Sequence, residues 1–397
     1  MKSRTLAPIL RVEAARNPVV TVMGPRQSGK TTLVRAAFPD HSYRSLEQPN
    51  ERGAALADPL HWLESLGGPC IIDEVQRAPE LLSYIQVAVD EDDTAGRFIL
   101  TGSQNLLLMQ SVSQTLAGRT ALLQLYPFSF GELFDRPPLD PAAPLQTEAG
   151  EPPTGTTLWE SLWRGFYPRI HDKGLDPTRW LADYLRTYVE RDLRDVLKVM
   201  DLVSFERFMR LAAARTGCEL NMAELASDAG VSQPTAKQWL STLGTGFIVM
   251  LLPPHSANFR KRLRKRPKLH FMDSGLVCHL LGIPDPHTLS FHPLRGAIFE
   301  SFVVSELVKA FVHQGRDAPL YHWRDATGHE VDIIVDLGAR LVPIEVKSGV
   351  TIASDALDGL RWWTSLAGNP NTEGVLVHGG SARQVRRGMT VVPWYLR

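Results

Sequence analysis

The sequence is short of cysteine, of long apolar runs and of net charge. Three cysteines in 397 residues, Cys70, Cys218 and Cys278, are too few and too scattered for a disulfide framework or a zinc cluster. The longest apolar run, 246–252, falls far below the roughly 20 residues a membrane helix needs. The opening Met1-Lys-Ser-Arg leads into no signal-like apolar region. Basic and acidic residues number 43 each, so a nucleic-acid surface must be a local patch. With 44% hydrophobic and 22% charged residues, the composition also excludes a collagen, coiled-coil or disordered chain. What remains is a soluble, cytoplasmic protein, too long for one compact core and expected to form two or three domains.

Residues 18–130 alternate short apolar runs with helical stretches. Runs beginning at Pro18, Pro69 and Arg97 read as buried parallel strands bounded by glycine or polar turns. Prolines at 137, 138, 141, 144, 152 and 153 mark 136–157 as a linker. The expected division is an α/β domain over 1–135, a helical region over 158–270, and a second α/β domain over 271–397.

Gly24, Pro25, Arg26, Gln27, Ser28, Gly29, Lys30 and Thr31 match the P-loop pattern G-x-x-x-x-G-K-[S/T] in full, with a strand before and a helix after, and Thr32 next in line. The glycines let successive N–H groups converge on phosphate oxygens, and the helix adds its positive end. Lys30 is expected to reach the β- and γ-phosphates of ATP, and the Thr31 hydroxyl to bind magnesium. Cys70-Ile-Ile ends in Asp73-Glu74, where Asp73 would hold the metal and Glu74 would act as the base that orients the attacking water. The third strand ends in Ser103-Gln104, either of which could contact the γ-phosphate or the water. Arg119 lies beyond it, as an arginine finger completing a neighbouring subunit's site or as an ordinary salt-bridge residue.

These residues, with Thr101-Gly-Ser-Gln and Leu116-Ala-Gly-Arg119, resemble a family of bacterial and archaeal AAA-type ATPases. Its members carry a C-terminal domain of unknown function similar to PD-(D/E)xK nucleases. The resemblance continues in Gly165-Phe-Tyr-Pro, Tyr188-Val-Glu-Arg-Asp192, Met272-Asp273-Ser-Gly275 and Glu345-Val-Lys347, so it spans nearly the whole chain. It implies an α/β P-loop NTPase (AAA+-like) domain, then a helical and winged-helix region, then an α/β restriction-endonuclease-like domain.

The middle region reads as a helix-turn-helix. Asn221 caps one helix, Gly230-Val-Ser is a tight turn, and Ser232 caps a second helix. Packing through Leu225, Ala236, Trp239 and Leu240 would leave Gln233, Thr235, Lys237 and Gln238 facing outward, as on a recognition helix. Strands near 247–252 and 268–272 would complete a winged helix. Between them lie Arg260, Lys261, Arg262, Arg264, Lys265, Arg266 and Lys268 with no acid. That is the electrostatic footprint of DNA phosphates, read without sequence, although RNA or a protein partner fits the same module.

At the C-terminus, a helix Glu300, a strand Asp332 and Glu345-Val-Lys347 occur in the order of the PD-(D/E)xK core. The resemblance implies that Glu300, Asp332 and Glu345 hold magnesium and that Lys347 steers water, in an active nuclease or in a platform that has lost activity. The expected function is an ATP-dependent DNA-binding AAA+ ATPase that translocates on or remodels DNA, with MgATP as cofactor. An arginine finger would require a homo-oligomer, with a ring as one form. The rival readings are a nucleotide-dependent switch with protein partners and an ATP-regulated nuclease.

Overall fold

The computed structural model describes residues 2–103, 115–140, 143, 151–188, 202–255, 266–325, 327–366 and 373–395. Gln104, Arg260, Lys261, Arg262, Arg264 and Lys265 lie outside them, as does most of the Tyr188–Asp192 motif. The chain forms two compact units, one of 1–128 with 245–247 and 311–316, the other of 129–244, 248–310 and 317–397.

The first unit runs α1 (Leu6–Ala14), β1 (Val19–Gly24), α2 (Lys30–Ala37), β2 (Ser42–Ser45), α3 (Pro49–Ala57), α4 (Pro59–Glu64), β3 (Cys70–Asp73), α5 (Leu81–Glu91), β4 (Phe98–Ser103) and β5 (Thr120–Gln124). Its sheet has the order β2-β3-β4-β1-β5, and every pairing is parallel. β1 and β4 are buried at all positions, as apolar runs in a sheet covered on both faces must be. On one face α1 and α2 bury Leu6, Leu10, Leu33 and Val34 against Val20, Val22 and Ile99. The other face carries Trp62, Leu81 and Ile85 on Val19, Ile72 and Leu100. Parallel pairing brings the ends of β1, β3 and β4 to one edge, with Gly24 beside Ser103 and Asp73 beside Ser45.

The second unit begins with α6 (Phe130–Leu133), α7 (Leu158–Arg164), α8 (Pro168–Asp172), α9 (Pro177–Tyr188) and α10 (Leu202–Ala213). Then follow β6 (Cys218–Glu219), α11 (Met222–Ala229), α12 (Gln233–Thr245), β7 (Val249–Leu252) and β8 (Lys268–Phe271). Trp239 of α12 packs edge-on against Phe205 and Phe208 of α10. Asn221 accepts the Glu224 N–H, Gly230 ends α11 at φ 74°, and the Ser232 hydroxyl accepts the Thr235 N–H, so both expected caps form. β7 and β6 pair antiparallel with β8.

The chain closes through α13 (Ser274–Leu280), α14 (Pro286–Phe291), α15 (Arg295–Val312), β9 (Leu320–Arg324), β10 (Glu330–Asp336), β11 (Leu341–Lys347), α16 (Asp358–Ser365), β12 (Val375–His378), β13 (Gln384–Arg386) and β14 (Met389–Pro393). These strands form a mixed sheet, β13-β14-β12-β11-β10-β9, with Leu360 and Trp363 of α16 on Val331, Ile334 and Leu376.

Two sequence motifs far apart in the chain clasp each other. The Asp273 carboxylate accepts the N–H of Phe166 and, as cap of α13, that of Leu276. Gly165 has φ 66°, and a Cβ there would lie 2.5 Å from the Asp273 carboxylate. Only glycine meets both conditions.

Candidate functional site

The P-loop closes tightly around the end of β1. A Cβ on Gly24 would lie 2.1 Å from the Leu125 carbonyl oxygen, which excludes any side chain. Gly29 adopts φ 93° and Gln27 φ 63°, turning the backbone so that α2 starts at Lys30. Lys30 is buried, and its Nζ donates to the carbonyls of Gly24 and Pro25, both at 2.9 Å. Its ammonium therefore lies within the loop that is expected to cradle phosphates. Ser28 is fully buried with a hydroxyl that has no hydrogen-bond partner, while Arg26 is half-buried and Gln27 and Thr32 are exposed.

Asp73 is the hub of the second half. Its carboxylate accepts the Thr31 hydroxyl at 3.0 Å, the Tyr43 hydroxyl at 2.7 Å and the Thr101 hydroxyl. Burial, and then the Asp73 hydrogen bond, push the Tyr43 phenol up to about 12. Glu74 stands at φ 59°, a left-handed conformation that costs a non-glycine residue free energy and clusters at functional sites. Its carboxylate accepts from the Gln76 amide, which also donates to the Ser103 hydroxyl at 2.8 Å. The residues present fit a nucleotide with magnesium: a glycine-permissive loop, an internal ammonium, and a hydroxyl–carboxylate pair in Thr31 and Asp73.

Sequence reasoning missed four residues here. Tyr43, Thr101 and Gln76 were not assigned roles, and neither was Arg4. Buried Arg4 donates to the Ser28 carbonyl at 2.7 Å and to the Tyr126 carbonyl at 2.7 Å, bracing the P-loop from outside its own motif. No sequence signal marks Arg4, because its partners are backbone atoms far along the chain. Arg119, by contrast, is occupied within its own unit: Nη2 donates to Asp90 Oδ2 of α5 at 2.9 Å. Of its two expected roles the structure displays the salt bridge, because the turn before β5 brings it beside α5.

In the second unit Gln233, Lys237 and Gln238 are exposed along α12, as expected of an outward face. Thr235 departs from that expectation, being half-buried with its hydroxyl on Ser232 at 2.8 Å. The cap geometry claims it. Arg266 is exposed. Lys268 is not part of a basic surface, for it begins β8 and is only 3% exposed.

Instead, Lys268 enters the carboxylates of the C-terminal sheet. Its Nζ lies 3.0 Å from Glu300, 2.5 Å from Glu330 and 3.7 Å from Asp332. Asp332 also accepts the Val346 N–H at 2.9 Å, and Lys347 donates to Glu345 at 2.6 Å. Glu345 and Lys347 thus share a face of β11, as the alternation of a strand demands. Burial raises the carboxyls of Glu300 and Glu345, and the Asp332 charge raises both further. Glu300, Asp332 and Glu330 draw Lys268 upward against its own burial. Among the described residues no group of three or more acids, histidines or cysteines is arranged to hold a metal ion. Of the acids expected to hold magnesium, Glu300 and Asp332 lie 3.0 and 3.7 Å from the Lys268 ammonium, while Glu345 pairs with Lys347. No described helix is long and apolar enough to cross a membrane.

The comparisons with known proteins bear on the fold and the family. Residues 16–134 match the model of an AAA domain, and the first unit is accordingly a P-loop ATPase domain of AAA type. Residues 155–287 and 295–396 match two domains of unknown function, DUF8612 and DUF4143. The chain is 33% identical over 348 residues to uncharacterized protein Rv2008c of Mycobacterium tuberculosis, covering 87% of this chain and 74% of that one. Uncharacterized protein Mb2031c of Mycobacterium bovis matches to the same extent. The chain belongs to the family of these mycobacterial proteins. Solved structures with some likeness include the Walker-type ATPase of Pyrococcus abyssi, at 14% identity, TM-score 0.40, and 69% and 94% of the two chains. Another is the Drosophila ORC bound to DNA, at 13% identity, TM-score 0.25, and 66% and 88%.

Proposed function

We propose that this protein is an ATPase that hydrolyses MgATP to move along or remodel DNA. The observation that carries the ATPase half is the convergence of Lys30, Thr31, Asp73 and Glu74 at one edge of a parallel sheet. Lys30 would turn from the Gly24 and Pro25 carbonyls to the β- and γ-phosphates. Thr31 and Asp73 would hold magnesium, which when bound neutralises developing charge on the phosphates. Glu74 would take the proton of the attacking water, held in place by Gln76, with Ser103 beside it.

The DNA half rests on the exposed Gln233, Lys237 and Gln238, on Arg266, and on the basic run Arg260, Lys261, Arg262, Arg264 and Lys265, which lies outside the described residues. Read as a winged helix, this region would grip phosphates with little base preference, and RNA offers the same chemistry. Under this reading the domains are 1–135, 158–270 and 271–397, with 136–157 as the linker, in a cytoplasmic protein. Arg119 would act in a neighbouring subunit of a homo-oligomer, which needs exchange of its Asp90 partner for the γ-phosphate of that subunit. The same Arg119–Asp90 pair favours a second reading, a slow nucleotide-dependent switch acting on protein partners, since it holds the finger back.

The experiment is ATP turnover with and without single-stranded, duplex and branched DNA, in wild type and Lys30→Ala. Stimulation by one DNA form, absent in Lys30→Ala, is the expected result. Turnover indifferent to every DNA would overturn the motor and favour the switch.

A further inference from the structure

The strand that leads out of the basic run delivers one lysine not to solvent but into an acidic centre. We propose that Lys268 is the built-in cation of the C-terminal carboxylate cluster, taking a divalent metal's place there, and that the cluster is a latent metal site which this side chain keeps closed.

Three observations converge on this. Lys268 Nζ contacts carboxylates from two different elements, Glu300 of α15 and Glu330 and Asp332 of β10, at 2.5–3.7 Å. One point charge shared by carboxylates of separate elements is the role a divalent cation fills in oxygen-ligand sites. Second, Glu345 is over nine-tenths buried, yet its Oε2 has no hydrogen-bond partner. A buried acceptor without a partner is costly, and here it sits in the field of Asp332 and Lys268. Third, the backbone is shaped closely around these acids. A Cβ on Gly217 would lie 3.5 Å from Glu300 Oε2, and one on Gly359 2.4 Å from the Glu330 carbonyl and 3.6 Å from Glu345 Oε2.

Lys268 cannot leave without consequence, because buried carboxylates need a compensating charge. Without Lys268, a divalent cation would supply that charge, held by the Glu300 and Asp332 carboxylates that the ammonium now pairs with. In the native protein the ammonium excludes the cation. Any metal-dependent hydrolysis at this centre is therefore off unless β8 shifts. Nothing in this centre depends on the ATPase reading.

The test is a Mn2+ titration without nucleotide, followed by electron paramagnetic resonance of free Mn2+ and by thermal unfolding. It compares wild type, Lys268→Met, and each with Asp332→Asn. Lys268→Met is expected to gain one site bound at least tenfold more tightly than any in wild type, with an unfolding midpoint that rises with Mn2+. Asp332→Asn should remove both effects in the Lys268→Met background and leave the Mn2+ binding of the wild type as it is. If Lys268→Met does not fold, the double variant Lys268→Gln with Glu330→Gln, which removes both members of the closest pair, carries the same expectation. Wild-type Mn2+ binding that Asp332→Asn abolishes would overturn the inference, as would a folded variant lacking Lys268 that gains no site.

Discussion

The Tyr43 hydroxyl donates to Asp73 Oδ2 across 2.7 Å, tying the edge strand of the sheet to the carboxylate expected to hold magnesium. With its phenol pushed up to about 12, Tyr43 stays a donor throughout the physiological range. Tyr43→Phe removes that donor without changing shape. A hydrogen bond to a charged group contributes about 1.5–3 kcal/mol, so the Mg2+ concentration for half-maximal turnover should rise about ten- to a hundredfold. The KM for ATP at saturating Mg2+ should stay as in wild type. A magnesium titration of steady-state turnover checks both.

Glu74 is the candidate base, and Glu74→Gln keeps its size while removing its basicity. ATP turnover should fall about 10²–10⁴-fold, the usual contribution of general base catalysis. Nucleotide affinity, read with a fluorescent ATP analogue, should hold. Equal loss of binding would place Glu74 in the fold rather than in the chemistry.

Arg4 braces the P-loop through the carbonyls of Ser28 and Tyr126. Arg4→Met leaves these buried acceptors without their donor, which costs about 1–3 kcal/mol for such a group. Urea unfolding should show the loss of stability, and ATP binding should weaken along with it.

DNA binding through phosphates carries a signature in salt. Lys237 and Arg266 are both exposed. Neutralising each to Gln should reduce the slope of log K against log salt by about 0.9 for every phosphate of duplex DNA that the side chain had neutralised. Fluorescence anisotropy with two unrelated sequences should give the same decrement for each. A decrement confined to one sequence would mean base readout.

His270 is fully buried, and burial, with Lys268 and His322 adding to it, pushes its imidazole down to about 3. An unfolded histidine titrates near about 6.5, so the unfolded chain binds the extra proton between these values. The imidazole's contribution to stability is thus complete above about 6.5 and is lost as pH falls toward 3. Glu300 and Glu345, whose carboxyls are raised, give the opposite slope, with stability lost as pH rises. The difference between wild type and His270→Gln isolates the imidazole. Wild-type unfolding midpoints should fall faster than the variant's between pH 7 and pH 4.

The P-loop, Asp73-Glu74 and the caps at Asn221 and Ser232 were legible because each is local. A glycine pattern, a strand end and a capping side chain act on backbone within a few residues, so spacing alone specifies them. The order of the strands is not local. Nothing in the spacing of Lys30 and Asp73 tells that β4 inserts between β1 and β3, carrying Thr101 onto Asp73. Nor does it tell that β2 brings Tyr43 from the other side.

Lys268 marks the same boundary most sharply. In sequence it is the last of a basic run and reads as one more phosphate-binding side chain. In three dimensions it starts a strand whose pairing points it at Glu300, Glu330 and Asp332. The sequence by itself determined the nucleotide loop and the helix-turn-helix caps, because local backbone chemistry suffices for them. Which charges meet which was decided only by the tertiary structure, because charge pairing depends on strand order, burial and distance rather than on neighbours in the chain.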